Sequence, residues 1–91
     1  MTNNEVVTVV TVSGEYVGRL NSIQSDGTIT LNDPRMLIHG EQGIGFARGV
    51  CMTSKENPER VTFQQYVLCT ETNKEFSAAW TEAISGVKII L

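Results

Sequence analysis

β-Branched residues far outnumber helix-favouring ones in this sequence. Valine, isoleucine and threonine together supply 27 of the 91 residues, whereas alanine occurs four times. β-Branched side chains are restricted at χ1 and fit a pleated sheet better than a helix. We therefore expect a mainly β fold, and a chain of this length has room for a single domain spanning residues 1–91.

The first two predicted strands lie near the start of the chain. Residues 6–12 are apolar on both alternating faces, which is typical of a strand covered on both sides or curved within a barrel. A turn at 13–15 leads to a second strand at 16–23. Gly18 falls in the middle of that strand, where it predicts a sharp bend or a close approach of two backbones.

A third strand follows a tight turn. Asp26-Gly27 is a hairpin signal. Apolar and polar residues then alternate from Thr28 to Asn32, up to the breaker Asp33-Pro34, and 36–38 either extends or restarts the strand. Three consecutive antiparallel strands with short turns make a meander.

The middle of the chain is punctuated by glycines and charges. Four glycines within 40–49 predict a mobile or tightly turned loop. Two apolar stretches, 49–54 and 61–70, bracket the charged segment 55–60, which contains an Asn-Pro turn signal. We interpret this region as a second, longer hairpin.

One helix is expected, at 73–85. The segment Thr72-Asn73-Lys74-Glu75 has the spacing of a capping box, and Gly86 stands where a left-handed C-terminal stop would lie. One face of this helix is apolar, which favours packing on the core over base stacking. The residues of that face are Phe76, Ala79, Trp80, Ala83 and Ile84.

The segment Val87–Leu91 predicts a short and very apolar strand. An apolar strand at a free sheet edge would pair with another chain. Strand addition between identical copies, closing head to tail into a homo-oligomeric ring, is one solution. The alternative is a central strand of a closed monomeric barrel. Lys88 alternates with apolar neighbours, as does a charge placed outward to blunt an edge.

Composition narrows the classes of partner and location. The formal net charge of −3 argues against a general binder of polyanions. Neither a signal peptide nor a membrane-length apolar run is present, so a cytoplasmic location with no membrane partner is expected. Cys51 and Cys69 lie in apolar stretches and are interpreted as buried, reduced thiols.

No grouping of residues predicts catalysis. His39 is the only histidine, in a predicted solvent loop, and Asp26 and Asp33 stand at opposite ends of a strand. These residues make neither a triad nor a matched acid and base, so we expect no enzyme and no cofactor or metal.

The basic residues leave two interpretations. Arg19, in mid-strand, predicts an ion pair at a rim or between subunits. The other candidates form either a basic patch on the loops or, with the nearby glutamates, a mixed solvated surface. They are Arg35, Arg48, Lys55 and Arg60.

The order of hydrophobic and glycine positions resembles the Sm and Sm-like RNA-binding family. The first Sm motif is resembled by Val10, Val12, Gly14, Val17, Gly18, Leu20, Ile23, Ile29, Leu31 and Asp33. The second motif is resembled by Ile84-Ser85-Gly86 followed by Val87–Leu91. The chain also resembles small proteins encoded by marine phages, around 33–37 and 43–47.

The Sm resemblance implies a fold and a binding site. The implied fold is a small, strongly bent, five-stranded Sm-like (SH3-like) barrel, here with an extra long hairpin and one short helix near the C-terminus. Copies would form a ring that binds single-stranded RNA at its pore. The residues at the implied RNA positions are Gln24, Asp26, Gly27, Thr28, Ser85, Gly86 and Lys88.

Two of these positions differ from the family pattern. The loop 24–28 contains no side chain that could stack on a base, and Ser85 replaces an arginine. An alternative therefore stays open, in which the protein is a homo-oligomeric protein–protein scaffold or a phage accessory protein without nucleic-acid binding.

Overall fold

The computed structural model describes residues 1–85. It contains an antiparallel sheet of six strands and one helix, which confirms the expected mainly β fold. The elements are β1 (Val6–Thr11), β2 (Gly14–Ile23), β3 (Ile29–Gly40), β4 (Gly43–Phe46), β5 (Arg60–Phe63), β6 (Leu68–Glu71) and α1 (Lys74–Ser85).

The first three strands form the predicted meander. Strand β2 pairs with β1 on one side and with β3 on the other. The register of the β2–β3 pair shifts around Gly18, and a Cβ atom at Gly18 would lie 3.0 Å from the Cβ of Leu31 and 3.1 Å from the carbonyl oxygen of Asn32. The close backbone approach predicted at Gly18 is confirmed.

Strand β3 continues through Asp33-Pro34, where the sequence predicts a break. Asp33 adopts a left-handed backbone with φ of 50°, which aspartate tolerates better than most residues, and its N–H donates to the carbonyl oxygen of Glu59 at 2.9 Å. The strand therefore bends at this point and extends to Gly40. Its first half pairs with β5 and its second half pairs with β4.

The predicted hairpin between 49–54 and 61–70 is wrong. Residues 49–54 form turns, and 61–70 divides into β5 and β6. Strand β5 pairs with β3, whereas β6 pairs with β1 on the far side of the meander. The two halves of one apolar stretch thus reach different sheet partners, which local alternation cannot show.

The glycine-rich segment 40–49 is only partly a loop. It contains β4, which forms a tight hairpin with the second half of β3 through pairs such as His39 with Ile44. The predicted solvent loop at His39 is therefore wrong, although the side chain is exposed.

The core lies on one face of the sheet, called here the inner face. It is formed by Val7, Val9, Leu20, Ile29 and Leu31. Phe63, Tyr66 and Cys69 pack against this cluster, and the rings of Tyr16 and Phe63 are 5.1 Å apart. In residues 1–85 the sheet is not closed, and its path runs from β4 at one edge to β6 at the other.

Helix α1 covers part of the opposite, outer face. Its N-cap is Asn73, whose Oδ1 accepts from the backbone N–H of Phe76 at 2.9 Å, whereas the hydroxyl of Thr72 lies 2.8 Å from that of Thr8 on β1. The predicted helix is confirmed, but its cap is one residue later than the capping box implies. Of the predicted apolar face, Trp80 is buried, Phe76 and Ile84 are half-buried, and Ala79 and Ala83 are exposed.

The cysteines differ from the prediction in burial. Both are free thiols, but Cys51 is exposed on a turn and only Cys69 is partly buried. Burial raises the pKa of the Cys69 thiol. The predicted helix stop at Gly86 and the predicted strand at 87–91 lie outside the described residues.

Candidate functional site

The implied RNA loop is the turn between β2 and β3. Gln24 donates its N–H to the carbonyl of Thr28 at 2.8 Å, and Gly27, with φ of 91°, donates to the carbonyl of Gln24 at 2.9 Å. The Asp26 carboxylate accepts from the N–H of Thr28 at 2.9 Å, and this hydrogen bond lowers the pKa of Asp26. The turn is thus built as predicted, with the acidic side chain engaged in holding its shape.

Tyr66 reaches this turn from the segment between β5 and β6. Its hydroxyl donates to the carbonyl oxygen of Gly27 while its half-buried ring packs against the core. The sequence predicts Tyr66 inside one long strand at 61–70, so it does not indicate that an aromatic side chain lies beside the turn 24–28. The polar pair Gln64-Gln65, which interrupts the apolar alternation, is the signal that could have indicated a break just before Tyr66.

The second implied RNA loop is described only at its first residue. Ser85 is the last residue of α1, and its hydroxyl donates to the carbonyl of Glu82 at 3.0 Å. Gly86 and Lys88 lie outside the described residues. Four of the implied positions, Gln24, Asp26, Gly27 and Thr28, therefore stand together in one turn, whereas Ser85 belongs to a separate helix.

Helix α1 is anchored to the outer face by Trp80. The fully buried indole donates its Nε1–H to the carbonyl of Asp33 at 2.8 Å, and the guanidinium carbon of Arg19 lies 5.3 Å from the ring centroid. Arg19 also donates to the carbonyl of Asn4 at 2.8 Å. Arg19 thus makes a cation–π contact within its own copy, which the sequence did not predict.

The remaining arginines make separate contacts in the described chain, and Arg60 donates to Oδ1 of Asn32 at 3.2 Å. Arg35 is buried and donates to the carbonyls of Pro34 at 2.8 Å and Pro58 at 3.4 Å, and burial lowers its pKa. Arg48 forms an exposed pair with Glu56 at 4.0 Å. These contacts favour the mixed-surface interpretation over a phosphate-binding patch.

A groove crosses the part of the outer face that α1 leaves open. It consists of two depressions of about 300 and 360 Å³ that share Glu15 and Leu37. Its residues come from five strands and the start of the helix, and those of the first depression include Val10, Glu15, Val17, Leu37, Glu71 and Phe76. Its far end, at Ile38 and Ile44, reaches β4.

Among residues 1–85, strand β4 forms an edge of the sheet without the usual protection. Its four residues contain neither a charge nor a proline, and Ile44 is 53% exposed. Edge strands of this kind offer unpaired backbone groups and apolar side chains to another chain. The groove and this edge meet at Ile44, so the two features form one continuous surface.

No protein-family model, curated protein or solved structure matches the chain. Within residues 1–85, no helix is long and apolar enough to cross a membrane. No group of three or more histidine, cysteine, aspartate or glutamate side chains in that range could hold a metal ion.

Proposed function

We propose that the protein acts by self-association, as a homo-oligomeric β-sheet scaffold whose copies join at their sheet edges. The observation that carries the proposal is the unprotected edge strand β4, with its exposed Ile44. A second edge is present at β6, where Leu68 is 46% exposed. Two different edges allow head-to-tail contacts, which close into a ring when the rotation between copies permits.

Chain length supports the same proposal. A domain near 90 residues buries only about 60–65% of the surface that its unfolded chain exposes, so a partner adds burial that the single copy lacks. The open sheet and the partly covered outer face are two places where that burial would be gained.

Sedimentation velocity between about 1 and 100 µM tests the proposal. The natural chain should sediment with a mass greater than the 10.0 kDa of one copy. Ile44→Lys should shift it towards the monomer, because a desolvated lysine opposes apolar edge contacts. Met52→Lys is the matched control, since Met52 is fully exposed on a turn outside β4. A monomer throughout the concentration range would contradict self-association.

A second candidate is an Sm-like ring that binds single-stranded RNA at the turn 24–28. The observation that favours it is Tyr66, whose hydroxyl meets Gly27 and which brings an aromatic ring beside the implied RNA loop. The bent meander of β1, β2 and β3 is compatible with the barrel that this family resemblance implies.

Fluorescence anisotropy with uridine-rich and adenine-rich oligonucleotides at two salt concentrations tests the second candidate. Base stacking is worth about 1–3 kcal/mol per base, so Tyr66→Leu should weaken binding by about fivefold to 150-fold. Gln65→Ala, at an exposed neighbouring position, is the control. The absence of a saturable, salt-dependent signal would exclude this candidate.

A further inference from the structure

The outer groove has the shape and chemistry of a site for an extended apolar segment. Its walls are apolar at Val10, Val17, Leu37 and Phe76, and it runs across the strands from α1 to the β4 edge. Val17 is buried while Val10, Leu37 and Phe76 are only half-buried, so these side chains leave apolar surface that an occupant could cover.

The charges of the groove are of one sign. Glu15 is exposed and lines it, and no lysine or arginine in the described part of the chain does so. Glu71 also borders the groove, but its pairing with the core residue Val7 directs its side chain to the inner face. A fitting occupant is therefore an apolar strand-like segment that carries a single positive charge.

The chain itself contains such a segment at Val87-Lys88-Ile89-Ile90-Leu91. We propose that residues 87–91 of one copy dock in the outer groove of a neighbouring copy, with Lys88 beside Glu15. This proposal rests on the self-association proposed above and names the segment and the site that it uses.

The direction of α1 favours a neighbouring copy over the same copy. Phe76, in the first turn of the helix, lines the groove. Trp80, one turn later, contacts Arg19, which is two residues beyond the groove residue Val17 on β2 and does not line the groove. The helix thus leads away from the groove, and Ser85 is about 13 Å further along the axis than Phe76 at 1.5 Å per residue.

The length of residues 86–91 also favours a neighbouring copy. Six residues reach at most about 20 Å even when fully extended, so most of that reach would be used in returning to the groove of the same copy. A neighbour has no such detour, because the groove opens at Ile44 on the edge where the neighbour is proposed to join.

A charge-reversal mixing experiment tests the proposal on the full chain. Lys88→Glu and Glu15→Lys should each weaken self-association about tenfold, because each places like charges together in the groove. An equimolar mixture of the two variants should recover most of the natural association, since each variant then meets a neighbour of opposite charge. Lys74→Glu, on the exposed start of α1, is the matched control and should change association less than twofold.

Each outcome decides between the proposals. If the natural chain associates and Lys88→Glu associates equally well, the groove proposal is overturned while self-association stands. Weakening by both variants without recovery in the mixture indicates that the segment docks in its own copy, which also overturns the proposal. A natural chain that is monomeric at 100 µM overturns self-association and, with it, docking between copies.

Discussion

The two faces of the sheet are covered to very different extents. The inner face is filled by a continuous apolar cluster, sealed further by Phe63, Tyr66 and Cys69. Within residues 1–85, the outer face is covered where Trp80 packs, and beyond Phe76 it forms a groove whose side chains are mostly half-buried or exposed. The comparison indicates that the inner face provides most of the stability, whereas the outer face is available for binding.

The largest expected difference is between two leucines on the same strand. Leu31→Ala on the inner face should lower the free energy of unfolding by about 3 kcal/mol, since it leaves a cavity in a fully buried cluster. Leu37→Ala in the groove should cost about 1 kcal/mol, because Leu37 is only half-buried. Urea denaturation at one low protein concentration measures both, and equal losses would contradict the comparison.

A pair of glycines tests the tightness of packing between strands. Gly18→Ala should cost about 2 kcal/mol, because the new methyl group meets Leu31 and the backbone of Asn32. Gly45→Ala on β4 is the control, since no atom lies within 4 Å of its added Cβ, and should change stability by less than about 0.5 kcal/mol. Thermal unfolding followed by circular dichroism measures the difference. A Gly18→Ala variant as stable as the natural chain would show that the contact relaxes freely.

The covered part of the outer face is tested at Trp80. Trp80→Phe removes the indole donor and leaves the carbonyl of Asp33 without this hydrogen bond. The free energy of unfolding should therefore fall by about 1.5 kcal/mol. Phe76→Leu, at the groove end of the same helix, should cost less than about 0.5 kcal/mol. Hydrogen exchange of the α1 amides is the measurement, and equal protection in the two variants would argue against Trp80 as the anchor.

The smallest effect is expected at the turn 24–28, where it depends on pH. The pKa of Asp26 is lowered in the folded state by the hydrogen bond from Thr28, so its contribution is present above the unfolded pKa and is lost as the pH falls through the folded pKa. The stability advantage of the natural chain over Asp26→Asn should therefore shrink below about pH 4. Melting temperatures between pH 6 and 2.5 measure it, and a constant difference would contradict this role of the carboxylate.

The sequence predicted the elements whose signals are local. The meander follows from alternation and the Asp26-Gly27 turn, and α1 follows from its apolar period. The division of 61–70 into β5 and β6 was missed because it depends on which distant strand each half meets. The β4 hairpin was missed because Gly43 and Gly45 favour a loop locally, whereas pairing with β3 overrides that preference.

The candidate site could likewise be predicted only where its signal is local. The turn at Gln24–Thr28 was located correctly because a single dipeptide determines it. Tyr66 and the outer groove were not, because they require side chains from separate elements to meet. The cation–π contact of Arg19 was not predicted, because its partner Trp80 lies far along the chain.

The strand pairs of the sheet close chain segments of very different length, and this difference has a kinetic consequence. Strand β2 reaches β3 through one short turn, but Thr30 contacts Thr62 across 32 residues, and Thr8 contacts Thr72 across 64. The entropic cost of closing a loop rises with its length. We therefore expect the meander to form in the folding transition state and β6 to join last, so that substitutions in β6 accelerate unfolding and leave the folding rate nearly unchanged.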